Sequence, residues 1–547
     1  GVDIIDKEYT APQKQVQTPA FSTESGFYDN PFYLKINIPD GAKVYYTLDS
    51  SDPDEQSTEY TSPIYLDDAT GHKNVYSMRT DVTAGFYSEL LKNETALPDQ
   101  QYAAPDYSVD KCNIVRAVAV YKDGTKSEIV TKSYFVGKQA ADFGDVNVIT
   151  ITSDPDNLFS SDKGIYVTGD YFSRYLKMNK ISEEKRPWLF WDSNYTQRGK
   201  EWQRKASISF FDNNGKLMGE QPNGAIRIHG HGSRGLIPRS FNLYAEDGGD
   251  ITDGFKADLF GNGFHPSCVT LSSGGNRVFT KLNDVFITDR CSQLNYSNTD
   301  YKPYVLFLDG EYWGFYWLSE KYDENYLHYH YGVDTDNVVI IKNNAVDAGG
   351  EVYKSLYSNM INDITKSDMT TATAYKNACK LVDIESFTDY YATMAYISRQ
   401  EDWPQTNFAL WRTVEKRGGK YSDGKWRWLM FDCNSTCMRT EIIDFNSIDL
   451  MVQQDKLFAA FWKNADFREK FKNRLQEMSK GCFNSNEVKR YVERYDREMY
   501  GILEKSWTRF HGKNNNKEIE YREEMDGYIK FFEQRPAVIA SWFDKNK

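Results

Sequence analysis

Residues 226–241 read IRIHGHGSRGLIPRSF, and this stretch narrows the fold more than any other part of the 547-residue chain. Gly230, Gly232 and Gly235 match the G-x-G-x-x-G pattern of nucleotide-binding loops, a weak signal among 36 glycines. A dinucleotide-binding fold needs that loop to run from a strand straight into a helix, with an acidic residue about twenty positions on. Here the alternating IRIH precedes the loop, and Pro238 with the alternating RSFNLY follows it. The order is strand, glycine loop, strand, which makes a hairpin and leaves no βαβ unit at this place.

A chain of this length exceeds one hydrophobic core, so at least two domains are expected. With 27% charged and 40% hydrophobic residues it reads as an ordinary globular protein. No stretch approaches the roughly 20 uninterrupted apolar residues of a membrane-spanning helix. The net charge of −13 and the lack of a Lys/Arg cluster interleaved with aromatics exclude a nucleic-acid partner. Seven cysteines imply no disulfide framework, and the Cys433/Cys437 pair lacks a second Cys/His pair to complete a zinc site. Aromatics reach 15%, a level met in extracellular proteins that touch sugars and equally in aromatic-rich cores.

After an extended segment, residues 1–20, the stretch 21–138 is alternating and turn-punctuated: FYLKINI, AKVYYTLD, then IVRAVAVYKDGTKSEIVTKSYFV. Asp123-Gly124 predicts a tight hairpin with positive φ at both positions, and the whole predicts a small antiparallel β-sandwich. From residue 143 strands and helices mix, with NVITITSD, ASISFFD, GAIRIHG and RSFNLYAED as strands. In IESFTDYYATMAYISR, apolar Ile384, Phe387, Tyr391, Met394 and Ile397 recur at helical steps, predicting one buried face that delivers the chain to Glu401 and Asp402. The last third predicts three or more amphipathic helices. The fold class is α+β.

Three motifs follow in a telling order. The glycine hairpin is the arrangement by which protein kinases cover nucleotide phosphates, although it can also be a turn without a ligand. EDWPQTNFALW then sets Asp402 five positions before Asn407, the spacing with which a kinase loop offers a carboxylate to the acceptor hydroxyl and an amide oxygen to Mg²⁺. KWRWLMFDCNST ends an apolar strand on Asp432, where a carboxylate can bridge metal and phosphates. Hard oxygen ligands such as these suit Mg²⁺ or Mn²⁺.

Through RIHGHGSRGLIPRSFNL, SSGGN, PYVLFLDGEYWGFYWLSEKYDENYL, EDWPQTNFALWR and KWRWLMFDCNST, residues 143–547 resemble the spore coat protein H (CotH) kinase family. The stretch from Phe21 to Leu66 similarly resembles immunoglobulin-like modules related to the chitobiase C-terminal domain, which accompany catalytic domains in secreted bacterial proteins. The first resemblance implies an atypical two-lobed protein kinase with a mainly helical C-terminal lobe. It would bind ATP with Mg²⁺ or Mn²⁺ and phosphorylate Ser or Thr of an extracellular or coat protein. By the same resemblance Asp402 is the base and Asn407 and Asp432 are metal ligands, with Asn434 beside them. Gly230, Gly232, Ser233 and Arg234 lie at the phosphates, and Glu320 holds a phosphate-binding cation, here Arg239. Two departures stand out: Pro238 and Arg239 replace family lysines, and Asn434 replaces an aspartate.

Two functions of different class stay open: an active Ser/Thr kinase, or a pseudokinase serving as an extracellular binding or assembly module. A glycosidase is a third, but Glu401 and Asp402 are adjacent and would point apart on an extended segment. His229 and His231 would share a strand face and could bind a metal with His328 and His330, although structural histidines are commoner. The expected partners are a protein substrate, basic and Ser-rich, and a cell surface or polysaccharide met through the β-sandwich. The expected setting is extracellular or cell-surface, after removal of a signal peptide.

Overall fold

The computed structural model describes residues 16–84, 102–178, 188–247, 253–275, 277, 279–434, 437–513 and 517–544. Nine short strands come first: β1 (Ala20–Phe21), β2 (Gly26–Tyr28), β3 (Phe32–Leu34), β4 (Ile36–Asn37), β5 (Ala42–Thr47), β6 (Thr58–Glu59), β7 (Ile64–Leu66), β8 (Asn113–Tyr121) and β9 (Val130–Val136). A five-stranded sheet in the order β2-β9-β8-β5-β6 faces the pairs β3-β7 and β1-β4. Only Gly124 of the Asp123-Gly124 turn takes positive φ, at 84°, because the hairpin is longer than a two-residue turn. Tyr121 N donates to Thr125 O, and Gly124 N donates to Tyr121 O.

The residues of β8 and β9 are buried on both faces, and the alternation of side chains shows why. Val115, Ala117, Tyr134 and Val136 fill the sandwich core. Ile114 and Phe135 point the other way into the large core shared with the rest of the chain. There Phe135 packs edge-on to Phe307 at 4.9 Å and stacks on Phe27 at 4.3 Å. The sandwich is thus joined to its neighbour through packed side chains as well as through the chain itself.

That neighbour is a closed seven-stranded barrel. It comprises β10 (Asn147–Thr152), β11 (Arg204–Phe211), β12 (Leu217–His229), β13 (Ser240–Tyr244), β14 (Cys268–Ser272), β15 (Tyr301–Leu308) and β16 (Glu311–Ser319). Its order is β10-β11-β12-β13-β14-β16-β15, antiparallel except where β10 meets β15. Strand β16, EYWGFYWLS, is buried along its whole length. Trp313, Tyr316 and Leu318 point into one core and Tyr312, Phe315 and Trp317 into the other. The alternation slips by one at Gly314, matching the register shift between β15 and β16. Gly314 has φ 96°, and a Cβ there would lie 2.8 Å from both Phe510 and Ser506, so only glycine lets the covering helix come this close.

A second sheet, β18-β17-β19-β20, follows, with β17 (Val338–Lys342), β18 (Ala345–Ala348), β19 (Ala409–Thr413) and β20 (Arg427–Leu429). The helices are α1 (Pro155–Phe159), α2 (Gly169–Lys177), α3 (Asn283–Cys291), α4 (Glu324–Tyr331), α5 (Lys354–Thr365), α6 (Ala372–Leu381), α7 (Ile384–Tyr396), α8 (Ser447–Gln454), α9 (Lys456–Trp462), α10 (Ala465–Lys480), α11 (Ser485–His511) and α12 (Lys517–Ser541). Helix α7 departs from the single buried face predicted for it: every residue from Ser386 to Tyr396 is buried. Its polar positions find partners inside, as where Asp389 accepts from Asn295 and Arg474. Arg535 of α12 then ties the end of α7 down, donating to Tyr396 O at 3.0 Å and Ala395 O at 2.7 Å.

The N-terminal sheets are fastened to the barrel at Glu311. Its carboxylate, 4% exposed, accepts from Val75 N at 2.5 Å, Tyr76 N at 3.2 Å and Ser77 N at 2.7 Å. Replacing it leaves buried N–H groups without acceptors. Glu311→Ala is expected to lower stability by about 3 kcal/mol, read from urea unfolding, with the loss of near-ultraviolet signal moving to lower denaturant.

Candidate functional site

Beyond α7 the chain turns through Ser398 and Glu401, both at positive φ (59° and 67°), and presents Asp402. Asp402 O accepts from Thr406 N at 2.8 Å and Thr406 Oγ1 at 2.9 Å, closing the loop on itself. Asn407 Nδ2 donates to Asp402 Oδ2, so the two residues predicted from D-x4-N spacing are joined directly. Arg399, 1% exposed, donates to Asp402 Oδ1 at 3.1 Å.

Asp432 arrives from β20 by a fixed path. Met430 N donates to Ser297 O and Met430 O accepts from Tyr322 Oη, while Phe431 lies 4.0 Å under the Lys342 ammonium. Asp432 keeps access to solvent, yet protein packs densely around its carboxylate. Burial raises its pKa; Arg399 pulls it down and Asp402 pushes it up. Next to it, Cys433 N donates to Asp284 Oδ1 at 2.7 Å and Asn434 Nδ2 donates to Asp284 Oδ2. Asp284, in the first turn of α3, is pushed up to about 7 by burial and then by the Asp432 charge. A carboxyl from α3 thus stands beside Asn434, and the sequence carries no motif that marks it. The SSGG part of SSGGN reaches the same place: a Cβ on Gly275 would lie 3.3 Å from that of Asn434, and Gly274 packs on Lys281.

The cation expected at the phosphates lies elsewhere than predicted. Arg239 is fully buried inside the barrel, 3.8 Å over the Tyr195 ring and 4.9 Å over Tyr166, and donates to Arg234 O at 2.7 Å. Glu320 does not meet it: its carboxylate takes His330 Nε2 at 2.9 Å and Asp300 N at 2.9 Å. The expected Arg239–Glu320 pair is corrected on both sides, because Arg239 directs its guanidinium inward before β13. The glycine hairpin has the predicted strand–loop–strand order, with a 3₁₀ turn at Gly232–Gly235. Arg234 braces that loop from within, donating to Gly230 O and Gln197 O at 2.7 Å each, and Ser233 Oγ folds over Gly230.

The cations that do gather are Lys321 and Lys342. His229, at the end of β12, reports on them: burial, then Lys342, Lys321 and Arg234, push its pKa down to about 3. Burial is the main cause of this shift, and the three positive charges add to it. Lys342 also acts on Asp432, so the cationic and acidic groups are neighbours. Asn407 and Asp432, at φ 56° and 49°, are strained there as well, a cost of about 1–3 kcal/mol each that packing must offset.

Asp432 and Asp284 repel each other, a repulsion that a divalent cation would relieve, and the amides of Asn407 and Asn434, held through their nitrogens, leave their oxygens as further hard donors. Among the described residues no three His, Cys, Asp or Glu side chains stand in metal-ligating geometry, so the amides would have to serve. The four histidines do not assemble: His328 bonds Val333 O and His330 bonds Glu320. Cys433 and Cys437 are buried free thiols.

A sequence model of the family described as CotH kinase protein matches residues 226–539, and one described as Fn3 associated matches residues 32–134. A comparison with curated proteins finds no match.

Because His229 resists protonation in the folded protein, the unfolded chain takes up a proton that the native state does not as pH falls from about 6.5 to 3. Stability should drop through that window by on the order of 1 kcal/mol per pH unit from this group. His229→Gln should flatten that part of a stability–pH profile, and the imidazole should show no titration by NMR between pH 5 and 8.

Proposed function

The chain belongs to the CotH kinase family, and from that premise we propose that it transfers the γ-phosphate of ATP to a Ser or Thr hydroxyl of a protein. The observation that carries this reading is the Asp402–Asn407 ring, braced by Arg399 and bordering a cleft with Asp432, Lys342 and Lys321. The barrel and the helical body would be the two lobes, with the glycine hairpin above the cleft.

In this reading Arg399 and Asn407 orient Asp402, which accepts the proton of the acceptor hydroxyl. The hydroxyl oxygen bonds to the γ-phosphorus as the bond to the β-phosphate oxygen breaks, and ADP leaves. Lys321 and Lys342 stabilise the negative charge of the phosphates, and His229, kept neutral, adds a hydrogen-bonding group without competing charge. Mg²⁺ or Mn²⁺, held by Asp432, Asn407 and Asn434 with Asp284 behind them, would neutralise the β- and γ-phosphates. Asn434 does not argue for lost activity, since the Asp284 carboxyl stands beside it and a bound divalent cation would favour its charged form; nor does Arg239, which is buried among aromatic rings.

An extracellular or cell-surface setting belongs to the same reading and rests on the N-terminal module. Its exposed Tyr33 and Tyr65, paired across β3 and β7 with rings 5.1 Å apart, offer the place for a contact with a polysaccharide or another surface.

Asp402→Asn is expected to reduce transfer of label from ATP to an acceptor protein by at least about 100-fold while nucleotide binding persists. Lys342→Met and Lys321→Met should each weaken nucleotide binding about tenfold by calorimetry. Arg239→Met should instead lower the melting temperature. Absence of metal-dependent ATP binding in the unaltered protein would sink catalysis and leave an assembly module.

A further inference from the structure

Beside the Asp402 loop lies a cavity of about 490 Å³, within the range of ligand pockets. Trp403 and Pro404, the residues after Asp402, form one wall; Leu410 and Trp428, cross-strand partners on β19 and β20, form another. Lys342 pairs with Ala409, and side chains alternate along a strand, so Lys342 lies on the sheet face opposite Leu410. The cations and the cavity are therefore on different sides of one sheet, and the Asp402–Asn407 loop that leads into β19 adjoins both. This separates the cavity from the phosphate side.

Its chemistry is equally selective. The polar ends of its aromatic walls are already engaged: Trp403 Nε1 donates to Tyr390 Oη at 3.1 Å and Tyr391 Oη donates to Asp455 Oδ2. The cavity's one carboxylate, Asp455, caps α9 through Leu457 N at 2.9 Å and Phe458 N at 3.0 Å. It is no counter-ion for an arriving cation, and exposed Lys456 adds like charge at the mouth. What remains divides between the rings and aliphatic carbon of Trp403, Phe408, Leu410 and Trp428 and the neutral side chains Asn344, Ser358 and Asn362, with the amides of Gln405 and Gln454 bonded to each other at the rim. Such a site takes an apolar side chain and offers the rim amides to an extended backbone.

We propose that this cavity is the acceptor subsite, seating an aromatic or large aliphatic side chain of the polypeptide that presents its hydroxyl to Asp402. The proposal rests on the phosphotransfer reading for the hydroxyl and on the cavity itself for the side chain, so its test has a binding arm and a transfer arm. Fluorescein-labelled, Ala-based peptides with one central Ser and with Phe, Leu, Arg, Glu or Ala at one flanking position are titrated against the full chain and followed by anisotropy. The same peptides are then incubated with labelled ATP and Mg²⁺.

Phe and Leu peptides should bind about tenfold tighter than Ala or Arg peptides, for at least one flanking position, and should receive phosphate in the same order. Ser358→Trp, on the exposed α5 rim of the cavity, should erase this preference at an unchanged melting temperature, and Ser358→Ala should keep it. If Ser358→Trp melts early, Asn362→Trp on the same rim replaces it. Preference for Arg, equal binding of all peptides, or indifference to both tryptophans would overturn the proposal. Selective binding without phosphate transfer would sink the kinase reading and sustain the pocket; transfer without selectivity would sink the pocket alone.

Discussion

Arg399 is the charge around which the cleft is arranged. A guanidinium that is 1% exposed has given up most of its water, and it can remain only where carboxylates and carbonyls replace that water. Asp402 bonds it directly, and both Asp402 and Asp432 act on it electrostatically. Two carboxylates brought into one cleft repel each other, and this shared cation offsets part of that repulsion. The positive-φ turns at Ser398, Glu401, Asn407 and Asp432 are held in place by the same convergence, since each leads toward or away from the group that Arg399 anchors.

Other buried arginines in the chain act differently, as cross-braces. Arg535 gathers carbonyls of Tyr396, Ala395 and Phe445, and Arg234 gathers those of Gly230 and Gln197. Arg239 and Arg509 also lie over aromatic rings, Tyr195 at 3.8 Å and Trp313 at 4.5 Å. Among the described residues none of the four is paired with a carboxylate, so backbone oxygen and ring faces take the place of acids there. Each joins segments far apart in sequence, which accounts for how irregular loops around the cleft keep one shape.

The pattern of the sequence carried the strands of the barrel, the hairpin order around the glycine loop and the Asp402–Asn407 spacing, because each depends on residues within a few positions of one another. Asp284, Lys321, Lys342 and Arg399 escaped it for the opposite reason. Only barrel closure and the path of β20 bring α3, the end of β16 and the end of β17 to Asp432. Arg239 was misplaced because motif position says which residue precedes a strand, whereas burial decides which way its side chain turns. In α7 the apolar spacing marks one buried face, but the polar positions between are buried too, because they bond internally, as Asp389 does to Asn295.

Strand β8 buries both of its faces, one in the sandwich and one toward the barrel, and Glu311 pins the intervening loop to the first residue of β16. Among the described residues the N-terminal module is consequently packed onto the barrel and not merely tethered to it. Whatever surface its exposed Tyr33 and Tyr65 rest upon is held at a set distance and angle from Asp402. Were the proposed transfer and surface contact both to hold, the module would act as a ruler, fixing how deep into a neighbouring layer Asp402 could reach.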